Sequence, residues 1–167
     1  PGKFKLINSS RKDYAVKPPK KSVLDSLIEN SYNVIAIGKV NDIFDGQGIN
    51  KNIKATNNME AINKFMDIMD KNFTGLCMVN LADFDSLYGH QRDVEGYGRS
   101  LEELDVEIPM ILNKLSLDDL LIITADHGND PTFSGCDHTR ENVPVIMYSR
   151  SFSEPKRLEV FETFANI

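Results

Sequence analysis

The three histidines of this 167-residue chain all lie in short polar clusters that also carry carboxylates. The clusters span residues 83–90, 125–130 and 135–141. Neutral imidazole nitrogens and carboxylate oxygens together form the usual ligand set for manganese or zinc, whereas calcium and magnesium prefer a shell made of oxygen alone. The clusters therefore predict a metal site with mixed Asp and His ligands.

Each cluster also has an ordinary structural explanation. Asp85 could cap a helix, and His90 could be a surface residue. Asp126 could form a turn beside Gly128. The adjacent pair Asp126 and His127 is harder to explain in this way, because neighbouring side chains diverge and both need polar partners at the end of a buried strand. Two divalent ions side by side would provide those partners, so we favour the metal site.

The first two clusters directly follow apolar runs that are typical of buried strands. These runs cover residues 75–81 and 120–124, and similar runs occur at 33–38 and 143–148. In a doubly wound sheet, functional groups collect just beyond the carboxyl ends of the strands. The position of the clusters therefore agrees with such a sheet.

Helical patterns alternate with these strands. Start signals occur at residues 22–25 and 57–60, where Ser or Asn is followed three positions later by Asp or Glu. A long amphipathic stretch covers residues 94–115, and we expect Pro109 to kink or interrupt it. The alternation predicts an α/β fold with a mainly parallel sheet and helices on both of its faces.

Composition excludes several classes of partner. Lys and Arg total 19 against 25 Asp and Glu, so a net charge of -6 offers no surface for nucleic acid or an anionic membrane. No stretch reaches the roughly 18–20 apolar residues needed to cross a bilayer. Cys77 and Cys136 are too few for a disulfide framework, which fits a reducing compartment and predicts a cytoplasmic location.

Five stretches carry a specific resemblance to one enzyme family. They are residues 11–15, 37–44, 79–93, 125–132 and 137–141. Their motifs closely resemble those of phosphopentomutases in the alkaline phosphatase superfamily, and the resemblance covers nearly the whole chain. It implies an alkaline-phosphatase-like α/β core, of which this chain would form the carboxy-terminal part.

The resemblance also implies two manganese ions. By analogy with the family, Asp85, His90 and His138 would hold one ion, and Asp126 with His127 would hold the second. The second site in the family also uses an Asp near the amino terminus of the full enzyme and a phosphorylatable Thr nucleophile. No segment of this chain resembles the motifs that carry them, so the catalytic nucleophile is expected outside it and the isolated chain is expected to be inactive.

Members of this family interconvert ribose 1-phosphate or deoxyribose 1-phosphate with the 5-phosphate, by way of a phosphorylated enzyme and a bisphosphate intermediate. A phosphorylated sugar activator is therefore expected as well. Lys39 is our candidate for contacting the distal phosphate of the substrate. Arg140 could bind a ligand carboxylate or a phosphate. Asp83, Asn129 and Asp137 could orient the ligating imidazoles.

The resemblance further predicts where the chain lies in a longer enzyme. Family members carry a cap domain inserted into the core, so residues 1–13 would be the end of the cap and its linker. Residues 14–167 would be the carboxy-terminal part of the metal-binding core, and residues 161–167 resemble a segment that continues into another helix. The expected partner is the missing amino-terminal part of the same enzyme. Cys136 departs from the family, which usually has Thr there, but it is not a predicted ligand.

Two alternatives remain open. The triplet at residues 126–128 alone would also fit a cofactor-independent phosphoglycerate mutase, or a metal-dependent phosphatase or phosphodiesterase of the same superfamily. The longer run at 130–141 favours the phosphopentomutase. Because the nucleophile and one ligand are expected elsewhere, the polypeptide by itself could instead be a noncatalytic metal-binding domain.

Overall fold

A computed structural model describes residues 14–167, so the expected cap segment at 1–13 lies outside the described part. The helices are α1 (Val23–Glu29), α2 (Val40–Ile43), α3 (Asn58–Met69) and α4 (Val94–Lys114). The strands are β1 (Asn33–Ile37), β2 (Lys51–Ile53), β3 (Gly75–Val79), β4 (Leu121–Thr124) and β5 (Val145–Tyr148). A π-helical turn, Phe84–Gly89, follows β3, and a 3₁₀ turn spans Phe164–Asn166.

Three strands form a parallel sheet in the order β2–β1–β3. The central strand β1 is buried along residues 34–37, as expected for a parallel strand that is covered on both faces. Ile37 lies opposite Ile53 of β2 and Val79 of β3, so the three strands end at one edge. The predicted α/β fold with a parallel sheet and helices is therefore confirmed.

The other two strands form a separate antiparallel pair. Leu121 of β4 lies opposite Tyr148 of β5, and Thr124 lies opposite Val145. Half-buried and exposed residues alternate along both strands, which is typical of an antiparallel pair with one solvated face. The run predicted at 143–148 becomes a strand only after Pro144, which has no N–H to contribute to the ladder.

Helix α3 packs on the parallel sheet. Asn57 caps its start, because the side-chain oxygen accepts the backbone N–H of Glu60 at 2.8 Å, as the start signal predicted. Ile68 of the helix packs with Ile35 and Ile37 of β1 in the buried core. Each isoleucine buried in this way contributes about 1.5–3 kcal/mol relative to an exposed position, so the end of β1 is held firmly.

Helix α4 is continuous through Pro109, so of the predicted kink or interruption, the interruption is wrong. Pro109 cannot donate to the carbonyl of Asp105, but both residues are exposed and water can bind that carbonyl instead. Asp93 caps the helix by accepting the N–H of Gly96 at 2.9 Å. Neither α4 nor any other helix within residues 14–167 is long and apolar enough to cross a membrane.

Candidate metal centre

The π-helical turn after β3 positions the first two predicted ligands. Asp85 lies in this turn and His90 follows its last residue. The backbone N–H of His90 donates to the carbonyl of Asp85, five residues earlier, at 2.9 Å. This wide turn brings the side chains together, with Nε2 of His90 3.3 Å from Oδ2 of Asp85.

The loop after β4 folds back on itself and supplies a third ligand. Thr139 and Gly128 form an antiparallel bridge in which the Thr139 N–H donates to the Gly128 carbonyl at 3.0 Å. A Cβ at Gly128 would lie only 2.9 Å from the Thr139 carbonyl oxygen, so the close approach requires glycine. The bridge places Nε2 of His138 3.2 Å from Oδ1 of Asp85 and 3.2 Å from Nε2 of His90.

The ring nitrogens of two histidines are arranged for metal binding. Nδ1 of His90 bonds the backbone carbonyl of Cys136, and Nδ1 of His127 lies 3.2 Å from the carbonyl of Gly128. A carbonyl only accepts, so each Nδ1 carries a proton, and in the neutral form of each ring Nε2 presents a lone pair. In this neutral form, Nε2 of His90 faces a carboxylate oxygen of Asp85 with no proton between them. A cation would relieve that repulsion, so the donor set fits a divalent metal.

His127 joins the same cluster from the loop after β4. Its ring stacks on that of His138 with 3.7 Å between the centroids. Ligand atoms of Asp85, His127 and His138 all lie within 4.8 Å of one another, a spacing that could hold an ion. Asp126 is more exposed, and its Oδ1 lies 3.8 Å from Nε2 of His127. The structure thus gathers four predicted ligands, with Asp126 adjacent.

Three other predicted residues lie around this edge without partners of their own. Lys39 follows β1, and the adjacent end of β3 is joined to β1 by the Asn80 N–H donating to the Ile37 carbonyl at 3.0 Å. Asp137 and Arg140 are exposed in the loop that carries His138. Within residues 14–167, none of the three side chains makes a hydrogen bond or an ion pair. They remain available to a ligand.

Two residues that we expected to orient imidazoles have different partners. Asp83 exchanges two hydrogen bonds with Asn58 at the start of α3. Its Oδ2 accepts the Asn58 N–H at 2.7 Å, and its own N–H donates to Oδ1 of Asn58 at 3.0 Å. Asn129 is buried and donates from Nδ2 to Oδ1 of Asp85 at 2.7 Å. Asn129 therefore orients the carboxylate ligand, and Asp83 ties α3 to the end of β3.

Sequence reasoning assigned no role to Arg92, which the structure places between the two ligand-bearing segments. Its Nη1 donates to Oδ1 of Asn129 at 2.6 Å. A cationic side chain two positions after His90 was a signal of a local role, but nothing in the local pattern identified a partner 37 residues away.

Two ionisable groups near the cluster have shifted pKa values. The side-chain hydroxyl and backbone N–H of Thr132 both donate to Oδ1 of Asp130 at 2.7 Å, and these bonds lower the pKa of Asp130. Burial raises the pKa of Tyr97, and the negative charge of Asp85 raises it further. Tyr97 therefore stays neutral near pH 7, with its ring 5.5 Å from that of Phe84.

Comparison with known proteins identifies the family of this chain. Phosphopentomutases from two strains of Clostridium perfringens are each 51% identical to this chain over 166 residues, which cover 99% of the chain and 42% of each relative. The chain thus spans less than half the length of these relatives, and the resemblance noted from its motifs is confirmed. A profile of the Metalloenzyme superfamily matches residues 2–167. This chain therefore belongs to the metalloenzyme superfamily.

Proposed function

We propose that this chain is the metal-binding, carboxy-terminal part of the core domain of a phosphopentomutase. The whole enzyme would interconvert ribose or deoxyribose 1-phosphate with the corresponding 5-phosphate. The observation that carries the proposal is the 51% identity to phosphopentomutases across 99% of the chain. Activity would also need the Thr nucleophile and the additional Asp ligand that the family resemblance implies, for which these 167 residues offer no counterpart.

We assign two manganese ions to the cluster. Asp85, His90 and His138 would hold one, because Nε2 of His138 lies 3.2 Å from both of the other ligands. The family resemblance assigns the second to Asp126 and His127, whose Oδ1 and Nε2 lie 3.8 Å apart. The mixture of imidazole and carboxylate supports manganese over magnesium or calcium. When bound, such a pair of ions neutralises charge on the attacking and leaving oxygens and lowers the pKa of a hydroxyl nucleophile.

The neighbouring polar residues would position the ligands or contact the substrate. Asn129 holds one oxygen of Asp85, and Asp83 anchors the chain immediately before it. Lys39 would bind the distal phosphate, since the residue follows β1 at the same sheet edge and its side chain has no competing partner in the described part of the chain. Arg140 would approach a phosphate from the exposed loop.

The test is an assay of ribose 1-phosphate formation from ribose 5-phosphate by the full gene product with manganese. We expect turnover of the pentose phosphate and no mutase activity on 3-phosphoglycerate, and the reverse preference would refute the proposal. Asp85→Asn and His138→Ala should lower kcat by more than about 100-fold, because they remove ligands rather than supporting groups. The matched control is Asp67→Asn, which changes an exposed carboxylate of α3 and should leave kcat unchanged.

The 167-residue chain by itself should bind manganese without isomerising the sugar phosphate. Mass spectrometry after purification with manganese would measure the metal, and the same assay would measure turnover. Isomerisation by this chain at the rate of the full gene product would show that its nucleophile does not lie elsewhere.

A further inference from the structure

The guanidinium of Arg92 is bonded to both segments that carry the ligand cluster. Its acceptors are Oδ1 of Asn129 at 2.6 Å and four backbone carbonyls, those of Gly89 at 3.0 Å, Asp130 at 2.8 Å, Asp137 at 2.6 Å, and Gly135. Gly89 ends the π-helical turn, and the other four residues belong to the loop after β4. We call these five contacts the Arg92 clamp.

The clamp uses all three nitrogens of the guanidinium. Nε donates to Gly135, Nη2 donates to Asp137, and Nη1 serves the remaining acceptors. Because the five N–H donors form one rigid planar fork, acceptors that bind them are held at fixed positions relative to one another. One side chain therefore sets the position of the loop against the turn.

Two of these contacts lead directly to metal ligands. Asp137 precedes His138, so the bond to its carbonyl fixes the backbone next to that ligand. The amide of Asn129 accepts from Arg92 through Oδ1 and donates to Asp85 through Nδ2. The 3.2 Å separation between Asp85 and His138 is thus supported from both sides by the same guanidinium.

The backbone of Arg92 supports the same interpretation. Its φ is +55°, in the left-handed region that residues with a Cβ rarely adopt. Conformations of this kind persist only where surrounding contacts hold them, and they are concentrated at functional sites. The five bonds of the clamp are contacts of that kind.

We propose that Arg92 is a positioning residue that holds Asp85 and His138 at ligand spacing before a metal ion binds. This inference rests on the proposed metal site. Arg92 is not itself a ligand, since its guanidinium is always protonated. Arg92 would strengthen metal binding by ordering the loop in advance, because a loop already fixed in the folded protein loses less conformational entropy when the ion binds.

The experiment measures the manganese dissociation constant of the full gene product by titration. Arg92→Lys is the deciding variant, because it keeps the positive charge while a single ammonium cannot replace the fork. We expect its dissociation constant to rise by about 10- to 100-fold, the usual effect of losing a group that supports metal ligands. Arg99→Lys changes an exposed arginine of α4 and should leave the constant unchanged.

A second readout uses the protein without metal. The Thr139 N–H bonds the Gly128 carbonyl, and its exchange with deuterium reports whether the loop stays folded back. Exchange should be faster in Arg92→Lys than in the wild type or in Arg99→Lys. Wild-type affinity in Arg92→Lys, with or without faster exchange, would overturn the inference.

The activity assay separates this inference from the proposed function. A wild type that binds manganese, shows the expected effect of Arg92→Lys and yet does not isomerise pentose phosphate would refute the phosphopentomutase assignment and support the clamp. If the wild type isomerises pentose phosphate and Arg92→Lys binds manganese as tightly as the wild type, the phosphopentomutase assignment would be supported and the clamp refuted.

Discussion

Replacing Gly89 by alanine should disturb the metal centre through a single methyl group. A Cβ at this position would lie 2.7 Å from Cγ of Asn129, and still closer to Nδ2. Ordinary contacts begin near 3.4 Å, so the Asn129 side chain has to move. Its bond from Nδ2 to Asp85 is 2.7 Å long, and a shift of that size would break it.

The expected magnitude follows from three contributions. Overpacking costs about 1–3 kcal/mol, and a lost hydrogen bond to a charged group costs about 1.5 kcal/mol where the group is partly solvated, as Asp85 is. Alanine in a helical position stabilises the fold by about 0.5–1 kcal/mol relative to glycine, which offsets part of this loss. We therefore expect Gly89→Ala to lower the free energy of unfolding by roughly 1.5–4 kcal/mol and to weaken manganese binding as well.

Urea denaturation of the full gene product with a chelator present would measure the free energy of unfolding without any contribution from metal. The matched control is Gly98→Ala, since Gly98 lies in α4 with nothing within 4 Å of the added methyl. That variant should be neutral, or more stable by about 0.5–1 kcal/mol.

A double-mutant cycle identifies the clash. In an Asn129→Ala background, the obstructing side chain is gone and only the Phe84 carbonyl oxygen, 3.1 Å from the added Cβ, remains close, so Gly89→Ala should cost much less. If Gly89→Ala behaves like Gly98→Ala, or if its full cost persists without the Asn129 side chain, the reasoning about this contact is refuted.

Three further predictions concern the rest of the chain. Hydrogen bonds from Lys64 and Thr56 lower the pKa of Glu60 from 4.5 to about 2. Its contribution to stability is therefore complete above pH 4.5 and is lost as the pH falls towards 2. Between these pH values, the free energy of unfolding should fall less steeply in Glu60→Gln than in the wild type. Pro109→Ala should raise the urea midpoint, because a proline inside a helix costs about 3 kcal/mol and water at the Asp105 carbonyl offsets only part of it; an unchanged midpoint would show that solvation offsets the whole cost. Burial raises the pKa of Cys77 to about 11, whereas Cys136 is exposed, so peptide mapping of folded protein after a thiol reagent at pH 8 should find Cys136 modified and Cys77 intact.

Local patterns predicted most of the secondary structure. The capping box at Ser22 and Asp25 forms, with Ser22 accepting from the Asp25 N–H and the Asp25 carboxylate accepting from the Ser22 N–H. The apolar runs form β1 and β3, and β1 is buried along residues 34–37 as a strand covered on both faces requires, whereas β3 is only half-buried. These features depend on residues only a few positions apart, so one sequence window contains what decides them.

The antiparallel pairing of β4 with β5 could not be predicted from local patterns of residues. Both strands were predicted, but the direction of pairing depends on how the loop between them returns to the sheet. Pro109 is a similar case. The sequence showed that a proline would destabilise the helix. The helix nevertheless continues because Asp105 is exposed and water can bind its carbonyl, and only the tertiary structure decides that exposure.

The chemistry of the candidate site was determined by the sequence itself, since the position of Asp and His just after strands indicated both the kind of ligand and the end of the sheet. Which side chains meet was decided by the tertiary structure alone. Asn129 reaches Asp85 across 44 positions, and Arg92 reaches Asp137 across 45. Contacts at such separations form only when the chain folds and loses the conformational entropy of the loops between them. No local pattern of residues shows which distant side chains will then meet.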